Sequence, residues 1–256
     1  RVSRVADGTA NILAKTKLLN RRVELPVVRK SSLARVLNGT NQYFSTSNTG
    51  FRFGNIDLTI VGWIYKTGTP SSNNRGIIGR NVFSTNNRSY VVGLHPNSGG
   101  DANKLHFACS GSGTSGSELI LRGSVPPLNQ WQIFRAEHDS VNDTLKLWQD
   151  GNSPFSGSHA NGIFSGSSAN FEIGRQNANN SYCFPGRIGP QYIWTRRLTE
   201  LEWAWLYNQG IGRYFEEFGQ PGTDGENLLA DLFWATDASG SGASGLPDIY
   251  GSRSLS

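Results

Sequence analysis

The sequence predicts an all-β protein: a two-sheet antiparallel jelly-roll sandwich with one short helix near residues 199–209. Three observations point there. Short runs of β-branched and aromatic residues recur along the chain, separated by loops rich in Ser, Asn and Gly. The 31 glycines suit many tight turns. The 13 Phe, 8 Tyr and 7 Trp can fill a sandwich core although overall hydrophobic content is only 36%.

The elements follow in order. Residues 37–45 (LNGTNQYFS) read as a turn flanked by strands, and 57–65 (DLTIVGWIY) as a strand of β-branched and aromatic residues. Residues 76–79, 89–94, 104–109 and 117–121 continue the pattern. Residues 131–138 (WQIFRAEH) and 144–149 (TLKLWQ) flank a turn at 140–143. Asp150-Gly151 is a hairpin turn, because both residues tolerate positive φ. After 171–174 (FEIG), a glycine turn leads into a strand at 187–194. The helix comes next: Thr199 and Glu202 have capping-box spacing, Leu201, Trp205 and Leu206 form an apolar stripe, and Gly210 can stop it.

Charge divides the chain. Residues 1–35 carry Arg1, Arg4, Lys15, Lys17, Arg21, Arg22, Arg29, Lys30 and Arg35 against only Asp7 and Glu24. This basic N-terminal arm is either a contact for an anionic partner or a solvated extension. It lacks aromatic stacking residues, which disfavours nucleic acid. Residues 36–216 form the sandwich, 217–227 a turn-rich linker, and 228–256 a C-terminal strand segment. No apolar run approaches the roughly 20 residues needed to span a bilayer. The chain has no Met and begins at Arg1, as a processed product or a fragment would.

The segments NGTNQYFS (38–45), DLTIVGWIY (57–65), Trp131, LKLWQDG (145–151), FEIG (171–174) and GRIGPQYIWTRRLTELEW (186–203) carry a resemblance through their order and spacing. Residues 36–216 resemble a laminin G-like (LamG) jelly roll of the concanavalin A-like lectin/glucanase superfamily. The resemblance implies an extracellular or virion-surface module that binds glycans or proteins, with calcium in some members. Gly189 follows Ile188 where relatives carry an acidic residue, which weakens transfer of a metal or ligand role to that strand; loop carboxylates and carbonyls could still assemble a calcium site, for which no ligands are named.

The text of the family's first strand stands at the other end of this chain, as 228–240 (LLADLFWATDASG), followed by 247–252 (PDIYGS). Reading 228–256 before 1–216 restores the family order, so the chain resembles a circularly permuted member or one cut out of phase from a tandem array. A sandwich lacking its first strand exposes an unpaired edge and an apolar groove. The C-terminal strand could fill that place in its own domain or in a neighbour. Exchange between neighbours would build a homo-oligomer or polymer. Leu229, Leu232 and Trp234 would be its apolar anchors.

Catalysis is disfavoured. Glucanases of this superfamily use paired carboxylates in a Glu-x-Asp-x-Glu pattern, and the nearest match, 137–141 (EHDSV), lacks the last one. Glu137 and Asp139 are therefore expected at the surface. The GxGxxG match at 240–245 is followed by Pro247 rather than a helix, which removes a dinucleotide role. His95, His106, His138 and His159 lack metal-ligand spacing. For glycans, Asn177, Asn179, Asn180 and Tyr182 share one loop: amides can bond hydroxyls and a ring can stack on a sugar face. The same residues also suit a turn. Cys109 and Cys183 could form a disulfide or remain buried thiols. Asn38, Asn87, Asn142 and Asn179 are sequons that matter in a glycosylating host. The function expected is a non-catalytic structural or adhesive subunit that self-assembles. The alternatives are a carbohydrate-binding module of a larger surface protein and, less favoured, a glycoside hydrolase.

Overall fold

The computed structural model describes residues 34–69, 72–96, 99–230 and 232–236. The basic arm up to residue 33 and residues 237–256, including the glycine-rich stretch 240–245, lie outside the described residues. The strands are β1 (Arg35–Asn38), β2 (Phe44–Thr46), β3 (Leu58–Lys66), β4 (Arg75–Val82), β5 (Asn87–Leu94), β6 (Leu105–Ser110) and β7 (Glu118–Arg122). They continue with β8 (Trp131–Asp139), β9 (Thr144–Gln149), β10 (Phe155–Ser158), β11 (Phe171–Ile173), β12 (Pro185–Trp194) and β13 (Leu232–Thr236). One α-helix, α1 (Glu200–Tyr207), follows β12.

The strands form two antiparallel sheets. The seven-stranded sheet has the order β1-β12-β3-β8-β9-β10, with β13 also on β12; the six-stranded sheet has the order β2-β11-β4-β5-β6-β7. Alternate side chains meet between them, as a pleated strand requires. Ile60, Ile64, Phe134, Leu145 and Leu147 of one sheet pack with Tyr90, Val92, Phe107 and Phe171 of the other, all fully buried.

β12 pairs with β3 along its length, and its other side is shared. There β1 pairs with the first half, Arg35 opposite Ile188, and β13 with the second half, Thr236 opposite Gln191. Both run antiparallel to β12, so β13 leads head to tail into β1 within one lane. In the described chain the C-terminal strand thus pairs with its own sandwich. Its anchors divide: Trp234 and Leu232 are buried, whereas Leu229 precedes the strand and is 37% exposed.

A third layer covers the outer face of the seven-stranded sheet. Val61, Trp63, Ile133, Trp148, Tyr192 and Trp194 point outward and are buried by Trp203 and Leu206 of α1 and by Phe218, Leu228 and Leu232. The stretch read as a linker, 217–227, belongs to this cover: Phe218 lies 4.9 Å from the Tyr192 ring, and Trp194 Nε1 donates to the neighbouring Leu228 carbonyl at 2.7 Å. The capping box forms: Glu202 N–H donates to Thr199 Oγ1 at 3.2 Å and Thr199 N–H to Glu202 Oε2 at 2.8 Å. The expected stripe forms in part, with Leu206 buried and Trp205 packed against the cluster. Trp203 and Leu206 face the sheet, and Leu201, on the opposite side of this two-turn helix, is 66% exposed. Asn208, in the left-handed region at φ 45°, ends the helix before Gly210 does.

The expectation for the two carboxylates is corrected, and the cysteines take the buried-thiol alternative. Glu137 and Asp139 are buried, not on the surface. Glu137 accepts from Arg135 Nη2 at 2.6 Å, and the Arg135 guanidinium lies 3.9 Å over the Trp148 ring. Asp139 pairs with Arg197 and caps the β8–β9 turn through Asn142 N–H at 2.9 Å. Both carboxylates therefore fasten the connection from β12 into α1. Cys109 and Cys183 are free and buried. Cys109 sits in β6 facing the core, whereas Cys183 precedes β12, so no disulfide joins them.

Candidate functional site

The outer face of the six-stranded sheet holds a hollow. Tyr90, Val92, Phe107, Cys109 and Leu121 point into the core, so their neighbours Val91, His106, Ala108 and Ile120 point away from it. Register aligns Val91, Ala108 and Ile120 in one row across β5, β6 and β7, and Gly93, His106 and Arg122 in the next. Val91, His106, Ala108 and Ile120, with Asn74, Asn81, Phe83, Arg88, Glu118 and Gln176, line a cavity of about 180 Å³ that opens to solvent.

Glycines shape the floor. A Cβ on Gly93 would stand 2.9 Å from His106 Cε1, so the bare backbone gives the imidazole its place. A Cβ on Gly76 would collide with the Arg175 carbonyl, so only glycine allows the 175–182 loop to cross β4 there.

The loop singled out from the sequence adjoins the hollow, although Asn177, Asn179, Asn180 and Tyr182 are not among its lining residues. Asn177, at φ 62°, donates its N–H to the Asn81 carbonyl at 2.8 Å and accepts from Ser84 N–H and Oγ at 3.2 and 3.1 Å. Asn179 Oδ1 accepts from Ser181 N–H at 2.9 Å, and Asn180 Oδ1 from Arg175 Nη1 at 3.2 Å. These amide oxygens hold the loop in shape. Tyr182 packs edge-on against Phe83 with centroids 5.2 Å apart, and the Arg88 guanidinium lies 6.0 Å over the other ring partner, Phe83. Gln176 is the loop residue that lines the hollow.

The electrostatics are locally paired. Arg88 Nε stands 3.1 Å from Glu118 Oε2. Burial pushes the Glu118 carboxyl above the usual range, opposed by Arg88 and by the Asn81 amide bonded to it. His106 is pushed down to about 3, first by burial and then by His95 and Arg122, so its imidazole is neutral near pH 7. Five buried polar atoms of residues lining the hollow have no hydrogen-bond partner among the described residues: Asn74 Oδ1, Asn81 Oδ1, Gln176 Oε1, His106 Nδ1 and Arg88 Nε, the last held by its ion pair with Glu118. Such atoms are costly unless water or a ligand engages them.

The sequence reading missed Asn74, Asn81, Arg88, His106 and Glu118, which converge from separate elements. The signal that could have located them is the set of strand-interior glycines Gly76, Gly79 and Gly93, which mark close backbone approach. Among the described residues no group of three His, Cys, Asp or Glu side chains is assembled for a metal. No helix among them is long and apolar enough to cross a membrane.

The chain belongs to the laminin G family of the concanavalin A-like lectin/glucanases superfamily, whose model matches residues 38–202. No curated protein sequence matches it. Among solved structures, a putative carbohydrate binding protein from Bacteroides ovatus is 16% identical with a TM-score of 0.56. The match covers 84% of this chain and 55% of that one. The CBM40 of the Ruminococcus gnavus IT-sialidase, bound to α2,3 sialyllactose, is 14% identical with a TM-score of 0.51 over 65% of this chain and 91% of that one. A leech intramolecular trans-sialidase is 17% identical with a TM-score of 0.52 over 71% of this chain and 27% of that one. At these identities the likeness is one of fold. The chain spans about half the length of the Bacteroides protein.

Proposed function

We propose that this protein is a non-catalytic, extracellular carbohydrate-binding and adhesive module, and that the hollow over β4–β7 is its binding site. The observation that carries the reading is the set of unpartnered buried amide oxygens of Asn74, Asn81 and Gln176 beside the Phe83–Tyr182 ring pair. Polar groups that fix hydroxyls beside an apolar wall are what a sugar requires. The carbohydrate-binding solved relatives support the same class. A non-catalytic role is favoured because Glu118 is the sole carboxylate among the residues lining the hollow and is paired with Arg88, whereas glycoside hydrolysis needs two. The test is a glycan array followed by calorimetry on the full chain. Saturable binding is expected, with affinity falling at least tenfold in Asn81→Ala and in Tyr182→Ala while the melting temperature holds. Binding unchanged by either substitution would sink the site, and release of reducing sugar that stops in Glu118→Gln would sink the non-catalytic reading.

A second reading is self-association by exchange of β13. It is favoured by the position of that strand: it follows the 211–230 cover and fills a half-lane beside β1. On this reading Leu232 and Trp234 are the exchanged anchors and the product is a surface or virion subunit that polymerises. Light scattering over a concentration series tests it. Concentration-dependent oligomers that vanish in Trp234→Ser are expected, and a monomer at all concentrations would overturn it.

A further inference from the structure

We infer that the hollow selects a neutral, hydroxyl-donating sugar and discriminates against anionic ones. This rests on the glycan-binding reading above and adds the ligand class.

The cations around the face are engaged. Arg88 pairs with Glu118 at 3.1 Å, Arg122 with Asp101 at 2.8 Å, and Lys104 with Asp101 at 3.0 Å. Arg175 Nε donates to Glu172 Oε1 at 2.9 Å, and Arg75 donates to the Ser181 carbonyl. A sugar carboxylate or sulfate entering here would have to break one of these pairs or lose its hydration without a counter-charge.

What the hollow offers instead is lone pairs. Asn81 is oriented by chemistry as well as by fit: a carboxylate can only accept, so its amide nitrogen turns to Glu118 and Oδ1 is left for the hollow. Gln176 Oε1 is also unpartnered, and Asn81 and Gln176 are each more than nine-tenths buried. Asn74 Oδ1 adds a third acceptor. Three amide acceptors beside a carboxylate paired with Arg88 require donors from the ligand, and the donors of a neutral sugar are its hydroxyls. An anionic group would instead set its oxygens against these acceptors and against Glu118.

The experiment is an array in which each neutral glycan is matched with its sialylated, sulfated or uronate form, read on the full chain and on Glu118→Gln. The wild type should bind neutral members and bind their anionic counterparts at least tenfold more weakly. Glu118→Gln leaves Arg88 without its counter-charge and should raise the anionic-to-neutral affinity ratio by tenfold or more, with thermal melting confirming the fold. If the wild type prefers anionic members and Asn81→Ala abolishes that binding, the site stands and the ligand class is overturned. If Asn81→Ala changes nothing, the site itself is overturned, and the ligand class falls with it.

Discussion

The Trp234 indole stands edge-on to the Phe171 ring, with centroids 5.8 Å apart and planes at 79°. The same indole meets Phe51 at 5.8 Å and 80°, while Phe51 and Phe171 stack at 4.0 Å. This three-ring cluster joins β13, attached to the seven-stranded sheet, to β11 of the opposite sheet. Such contacts add to the burial of the rings themselves.

Trp234→Ala should therefore cost about 3–5 kcal/mol, the range for truncating a buried aromatic side chain. For a chain of this size that lowers the melting temperature by roughly 10 °C. Leu229→Ser, at an exposed position three residues before the strand, should change stability by less than about 0.5 kcal/mol. Denaturation followed by circular dichroism checks both, and equal effects would contradict the division of anchors described above.

His106 predicts a pH dependence with a definite sign. Its folded value, about 3, lies below its ordinary 6.5. Between those values the unfolded chain binds a proton that the folded chain does not. Stability from this residue is complete above pH 6.5 and declines as pH falls towards 3, by about 1.4 kcal/mol per pH unit. His95 and His159 are shifted the same way, chiefly by burial. In His106→Gln, urea unfolding across this window should show a slope smaller by one proton. An unaltered slope would show that the imidazole titrates normally.

The cysteines should be inert in the folded protein. Burial raises the Cys109 thiol well above its usual range and pushes Cys183 up to about 11. The thiolate is the reactive form, so alkylation near neutral pH should be negligible until denaturant is added, and both residues should then label fully. Reducing agent should leave the melting temperature unchanged. Mass spectrometry after iodoacetamide treatment reads the first result, and a non-reactive pair in denaturant would indicate a disulfide.

Gly76→Ala should weaken glycan binding without touching any side chain of the hollow. The new Cβ would meet the Arg175 carbonyl, so the 175–182 loop must lift, carrying Gln176 and Tyr182 with it. Affinity should fall at least tenfold, and a structure of the variant should show the displaced loop. Wild-type affinity would mean that the loop's seat on β4 is irrelevant to binding.

The residues explain which parts of this architecture could be read in advance. DLTIVGWIY and TLKLWQ announce β3 and β9 because β-branched and aromatic side chains fit a buried pleat. Thr199 and Glu202 announce the helix start because the capping box is local chemistry. β10 was not anticipated: its sequence, FSGS, has little apolar pattern, and Gly157 is there because Leu121 and Leu119 approach closely. Glu137 and Asp139 look like surface residues in sequence, and only the arrival of Arg135 and Arg197 makes their burial tolerable. Clustered Asn and Tyr pointed to the 177–182 loop, but the residue there that lines the hollow is its neighbour Gln176. The floor was not legible, since Asn81, His106 and Glu118 lie on different strands and meet only through register.

The lane shared by β1 and β13 also bears on how the molecule is made. Synthesis runs from the amino end at about 5–20 residues per second, and segments fold as they become available. β1, β12 and β3 can pair as soon as residue 194 has emerged, but the adjoining half of β12's edge must wait for residues 232–236. Until then Phe51 and Phe171 lack the indole that closes over them. The nascent sandwich therefore keeps an open seam while residues 195–236 are made, and that interval is when a chaperone, or a second nascent chain on the same message, has access to it.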